Sequence, residues 1–247
     1  MKKKSIYLVL LLGYSSLNAQ LLELDYRSPV KKESAFKVKL FRQLMGSVTT
    51  LGHIDTSLEL MNIDFSASRG LSLGLTVAGT RTFFIGNKDD RRNNLSHLLN
   101  PVGGINGSIY FLLPIASQEK SHWRLSSRMG VKWIQGSPLR GFESAFLSGF
   151  GQLGAVYQKL LYENAPENQR IDFWAYPQLL LGQVKDRDLW VFFDNDLEPL
   201  SYGYGLETGV EFNQKLRLIF LLNQFVNPVR AESVGLPVLR LTVAFRP

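Results

Sequence analysis

Residues 123–133, WRLSSRMGVKW, constrain the fold more than any other stretch of this 247-residue chain. Laid out as an extended strand, one face carries Trp123, Leu125, Ser127, Met129, Val131 and Trp133. The other carries Arg124, Ser126, Arg128, Gly130 and Lys132. Only a period of two separates apolar from basic residues this cleanly. About ten residues at roughly 3.3 Å each, tilted by about 40°, cover roughly 25 Å along a membrane normal, the height of the apolar band on a transmembrane barrel. Trp123 and Trp133 then fall in the two interfacial aromatic girdles. The fold class implied is all-β, an antiparallel up-and-down transmembrane β-barrel.

The amino terminus supplies a compartment. Lys2, Lys3 and Lys4 precede an apolar run at 6–12, and Leu17-Asn18-Ala19 before Gln20 has the form of a signal-peptidase site, so residues 1–19 read as a signal peptide. The run is too short for the ~20 residues of a spanning helix. Loss of the three lysines lowers the formal net charge from +7 to +4, a mild excess that calls for no nucleic-acid partner. The chain has no cysteine, which excludes disulfides, thiolate metal sites, a cysteine nucleophile and an acylated lipoprotein terminus. An exported chain without disulfides needs another restraint, and closure of a barrel provides one by pairing every strand edge.

Residues 20–35 contain Pro29 and Lys31-Lys32-Glu33 and read as a periplasmic lead-in, with a short strand conceivable at 22–26. Residues 36–247 read as the barrel. Its strands are expected at about 36–44, 53–65, 71–85, 105–115, 122–134, 145–161, 171–184, 202–213, 215–225 and 236–246. That makes ten, with eight or twelve within the error of boundaries read from one sequence. In the second, the apolar phase changes between Leu60 and Met61, which predicts a bulge. Connections at 66–70, 116–121, 162–170 and 213–215 form a short series. Those at 46–52, 86–104, 135–144, 185–201 and 226–235 are mostly longer, and the two series alternate, as periplasmic turns and outer loops do.

The export signal, the amphipathic strands and the closing segment LPVLRLTVAFRP together resemble a bacterial outer-membrane β-barrel protein, and the Asn-Ala-Gln junction is similar to export signals of the Bacteroidetes group. The resemblance is to a broad class and spans about 36–247. It implies location in the outer membrane of a Gram-negative bacterium, contact with outer-membrane lipid, and handling by the barrel-assembly machinery, which reads an aromatic residue at the end of the last strand. Leu239, Leu241, Val243 and Phe245 fit that alternation, but Arg246 and Pro247 follow.

Inside such a barrel the same alternation places Arg124, Arg128 and Lys132 on one strand, Glu207 and Glu211 on another, and Arg217 and Arg240 on the last two. A narrow lumen filled by a network of opposite charges is the expectation, because buried charges require partners. The competing one is a small passive pore whose basic stripe favours anions. Gly149 to Gly154 spells GxGxxG, yet a dinucleotide site needs that motif between a strand and a helix, and here it lies within a strand. His53, His97 and His122 lack metal-ligand spacing, so neither a metal nor a cofactor is implied.

Three loci remain for activity. The outer loop 185–201, KDRDLWVFFDNDLEPLS, carries Trp190, Phe192 and Phe193 between acids, a pattern of a contact surface for a partner protein or of residues folding over the barrel mouth. A rim hydrolase built from Asp89, Asp90 and His97, or from the aspartates of 185–201, is a weaker reading with no family signature. A secreted lipocalin-like ligand carrier would use the same strands with the apolar face turned inward. The sequence therefore favours a non-enzymatic barrel with a structural, binding or assembly role.

Overall fold

The computed structural model describes residues 35–50, 53–66, 71–84, 105–134, 146–164, 166–167, 169–184, 200–213, 215–226 and 233–245. These form ten strands: β1 (Ala35–Thr49), β2 (His53–Ser66), β3 (Ser72–Phe84), β4 (Ile105–Ser117), β5 (Ser121–Ile134), β6 (Phe146–Asn164), β7 (Gln169–Val184), β8 (Leu200–Phe212), β9 (Leu216–Val226) and β10 (Ser233–Phe245). Each pairs antiparallel with its neighbours in sequence, and β1 pairs with β10, so the sheet closes. The expected strand count and up-and-down order are both present. The signal peptide and most of the lead-in lie outside the described residues.

Side-chain alternation dictates the two faces of the wall. Along β5, Arg124, Ser126, Arg128 and Lys132 are buried while Trp123, Met129, Val131 and Trp133 are exposed. The same division runs through β3, where Ser72, Gly74, Thr76 and Ala78 are buried between exposed Leu73 and Leu75, and through β10, where Arg240, Thr242 and Ala244 alternate with exposed Leu241, Val243 and Phe245. Apolar side chains thus cover the outside, and the sheet bends around its polar face.

Departures from regularity have local causes. The phase change at Leu60/Met61 is a bulge, and the β2–β3 register shifts between Glu59 and Met61. A second bulge next to it, between Leu40 and Gln43 of β1, holds Phe41 at φ 48°, a left-handed conformation unfavourable for a bulky residue. Residues 36, 38 and 40 share parity with 44 and 48, so no change of apolar phase announces it. β1 also runs five residues past the expected end, pairing with both neighbours through Gly46, Ser47 and Val48 and with β10 through Thr49. Residues 46–49 of the expected loop at 46–52 therefore belong to β1, and β2 begins at His53. Gly46 and Ser47 resemble turn residues, but they continue a two-sided ladder. Pro114 occupies a stretch of β4 that pairs only with β5, since the β3 ladder ends at Leu112, where its missing N–H costs no rung.

Candidate functional site

A strand polar on one face and apolar on the other can close into a barrel with either face inward, and the faces therefore decide what the fold is for. Val131 and Leu241 are 51% and 48% exposed, whereas Arg128 and Glu211 are 2% and 1% exposed. A soluble ligand-carrying barrel requires the reverse, because charges turned inward leave its exterior apolar in water. The lipocalin-like expectation is corrected on that ground.

The interior is where this chain spends its unusual residues. All seven charged residues singled out in the sequence, Arg124, Arg128, Lys132, Glu207, Glu211, Arg217 and Arg240, are buried. They come together in more than one group. Near the short β8–β9 turn, Arg217 Nε donates to Glu211 Oε2 across the β8–β9 ladder. Glu211 stands directly opposite Asp172 of β7, which takes two hydrogen bonds from Arg170, Nε to Oδ2 at 2.6 Å and Nη2 to Oδ1 at 2.9 Å. Two ion pairs thus lie side by side, Arg170–Asp172 along β7 and Glu211–Arg217 across β8 and β9.

Higher in the wall, the Arg217 guanidinium lies 5.6 Å from the Trp174 ring centroid, and Trp174 Nε1 donates to Glu207 Oε1 at 3.3 Å. Arg128 Nε donates to Ser108 Oγ at 2.9 Å, and Ser108 shares a 2.7 Å hydroxyl contact with Thr76. The Arg128 guanidinium stands 5.3 Å from the Phe150 centroid, and Gln152 Nε2 donates to Gln178 Oε1 at 2.9 Å. Lys132 and Arg240 are also buried, at 0% and 3% exposed.

Apolar bulk between these groups escaped the sequence reading. Met45, Tyr110, Leu112, Val156, Trp174, Tyr176, Ile219 and Ala244 form one buried cluster inside the wall. Trp174 and Tyr176 belong to a strand that is apolar on both faces, FWAYP, so polarity alone gives them no side. Their parity with Asp172 and Gln178 was the available signal. The aromatic rings fit because glycines face them. Tyr110 stands opposite Gly74, Phe150 opposite Gly130 and Trp174 opposite Gly209, and a Cβ at any of these glycines would overlap the ring. The interior is packed large against small, as in a protein core.

Trp123 and Trp133 are exposed on the outer face near opposite ends of β5, and Trp123 packs at 4.8 Å from Tyr157 of the adjacent strand. Gly149, Gly151 and Gly154 lie within β6, the wrong context for a nucleotide-binding turn. Gly149 and Gly151 line a cavity of about 610 Å³ with the exposed Met129, Val131, Leu153, Leu179 and Leu181 and with Arg128 and Gln152. His122 Nδ1 is 2.7 Å from Ser117 Oγ at the end of the β4–β5 hairpin. Asp172, the nearby carboxylate, is already engaged by Arg170. Among the described residues no group of histidines and carboxylates has the arrangement of a metal site. Trp190, Phe192, Phe193, Asp89, Asp90 and His97 lie outside the described residues.

A closed antiparallel barrel with apolar side chains outside and charges inside defines a membrane-barrel protein. Comparison with known proteins adds little to that class. No family model matches the chain, and no curated protein matches it. Among solved structures it is similar to one described as the NanC porin, with 9% sequence identity and a TM-score of 0.38 over 83% of this chain and 100% of that one.

Proposed function

We propose that this protein is an outer-membrane barrel whose wall is a sealed scaffold, and that its role is structural, binding or assembly-related and is exercised through its outer loops. The observation that carries this reading is the filled interior. Inward residues at successive levels, from Arg217 and Trp174 through Tyr176 and Arg128 to Lys132, are each at most 5% exposed, which leaves water little room beside them. Ten strands enclose little space beyond their own side chains. Residues 185–201, with Trp190, Phe192 and Phe193, are the proposed contact surface for a partner protein, the exterior contacts outer-membrane lipid, and no enzymatic step is assigned.

Conductance across a planar bilayer tests the proposal. The purified protein should insert without stepwise current. Stepwise currents whose anion preference reverses in Arg128→Glu would overturn it in favour of the passive anion-favouring channel. The basic inward residues Arg124, Arg128, Lys132 and Arg240 are what that second reading rests on.

A further inference from the structure

Glycines in this wall are of two kinds. At Gly130, Gly154 and Gly209 a Cβ would come within 2.4 Å of another part of the chain, so the packing of the barrel itself requires them. At Gly149 and Gly151 of β6 the nearest atoms, Gln183 Oε1 and Leu181 Cβ, would lie 3.4 Å from a Cβ, an ordinary contact. Both of these glycines face outward, in step with exposed Leu147 and Leu153 on the same strand. A glycine within a strand gives up side-chain packing and backbone entropy, and it often marks a place where a ligand approaches the backbone closely. Here the space it leaves is the cavity of about 610 Å³.

That cavity is a trough open on the apolar exterior. Met129 and Val131 of β5 form one side and Leu179 and Leu181 of β7 the other, all between 50% and 63% exposed. From Leu153 to Gly149 the floor follows β6 for roughly 13 Å, or roughly 10 Å of depth at a tilt of about 40°, which fits within the ~15 Å of one leaflet's hydrocarbon. At the end next to residues 185–201 the lining acquires hydrogen-bonding groups, Gln183 of β7 and Tyr202 of β8, and the Gln183 carboxamide reaches back over Gly149. This order of chemistry complements an acyl chain, which is apolar along its length and ends in an ester or amide carbonyl at the headgroup boundary.

We propose that the trough seats one acyl chain of a membrane lipid in the leaflet nearest residues 185–201. The chain lies along Gly149 and Gly151, and its carbonyl oxygen accepts hydrogen bonds from the Gln183 amide and the Tyr202 hydroxyl. The inference rests on the membrane reading proposed above and adds a defined lipid site to it. Between apolar surfaces in a bilayer no hydrophobic effect drives association, and close packing and hydrogen bonds take its place. The trough supplies both, through approach to the backbone over two glycines and through donors where the carbonyl falls. A second barrel fits less well, because its convex wall does not reach a floor one strand wide between Met129 and Leu179.

Lipid retention tests the site. The full-length protein is moved from phosphatidylethanolamine vesicles into detergent and weighed by native mass spectrometry, where the unsubstituted barrel should keep one lipid. Gly151→Leu fills the trough from its floor, at a position where the wall accepts a Cβ, and should keep none. Gly46→Leu adds the same bulk to β1, across the ring of strands from β6 and where a Cβ meets nothing, and should keep one. Gln183→Leu should release the lipid about 2- to 10-fold more readily, the effect of one lost hydrogen bond. Equal retention by Gly151→Leu and the unsubstituted protein, or no lipid in either, overturns the proposal. A dimer that Gly151→Leu dissociates also overturns it, by assigning the trough to a second copy. If Gly151→Leu does not assemble, unchanged retention in Gln183→Leu is sufficient to overturn it. Recovery of the unsubstituted protein in the soluble fraction without detergent is a different result, and refutes the membrane reading itself.

Discussion

Glu211→Gln tests whether the interior behaves as a packed core or as a hydrated lumen. The side chains of Arg217 and Glu211 are 4% and 1% exposed, and Gln preserves shape while removing the charge that Arg217 faces. Breaking a buried ion pair by removing one partner costs about 3–5 kcal/mol, because the other charge stays buried. Two neighbours reduce that loss. The Trp174 face 5.6 Å from the guanidinium retains a cation–π attraction of about 0.5–2 kcal/mol, and Asp172 loses the like charge that stands opposite it. A net destabilisation of about 2–3 kcal/mol follows, or roughly a 30- to 140-fold shift in the unfolding equilibrium. Urea unfolding in detergent micelles, read by tryptophan fluorescence, measures it. Glu211→Gln/Arg217→Met should recover most of the loss, since replacing both partners by groups of similar shape removes the orphaned charge. A single-variant cost below about 1 kcal/mol, the range of an exposed pair, would refute the packed interior, as would a double variant no more stable than the single.

Further outcomes follow from the wall and its turns. Met129→Arg, at a lipid-facing position near the middle of β5, should cost about 2–4 kcal/mol, whereas Trp133→Arg at the strand end should cost about 0–1; refolding yields into lipid vesicles compare them, and equal costs would contradict the girdle assignment. Gly209→Ala places a Cβ against the Trp174 ring and should lower stability by about 1–3 kcal/mol, measured by thermal melting, with Gly107→Ala, where the Cβ meets nothing, as the neutral control. Asn213 turns β8 into β9 at φ 51°, and its Oδ1 accepts the Arg170 N–H at 2.8 Å. Asn213→Ala should therefore destabilise more than Asn213→Gly, which keeps the turn and loses only the side-chain acceptor.

The strands were legible because a half-buried strand writes its two environments into alternate residues, and β5 does so without interruption. Legibility failed wherever that contrast vanished. Gly46 and Ser47 have turn-like chemistry, yet they continue β1, because pairing with β10 and β2 together outweighs local preference. The bulge at Phe41 inserts residues without moving the apolar parity, so it leaves no trace in the pattern. Inside the barrel, charged residues announced their side, since an arginine on the lipid face is costly. Trp174, Tyr176, Tyr110 and Phe150 did not, because lipid and a dry interior accept an aromatic ring equally well. Their glycine partners lie 20 or more residues away in sequence, and only the register unites Gly74 with Tyr110 or Gly209 with Trp174.

That failure bears on what the barrel can do. A lumen read from its charges alone is a basic stripe, and a basic stripe suggests transport of anions. Adding the aromatic residues changes the physical picture. Arg128 then sits between the Ser108 hydroxyl and the Phe150 ring, and Arg217 between Glu211 and Trp174, so the guanidiniums are fixed by packing as well as by charge. An ion crossing such an interior would have to displace close-packed side chains, whereas a scaffold needs them to stay where they are. The rings and hydroxyls packed around these guanidiniums restrain the polar interior, and the scaffold reading rests on that packing.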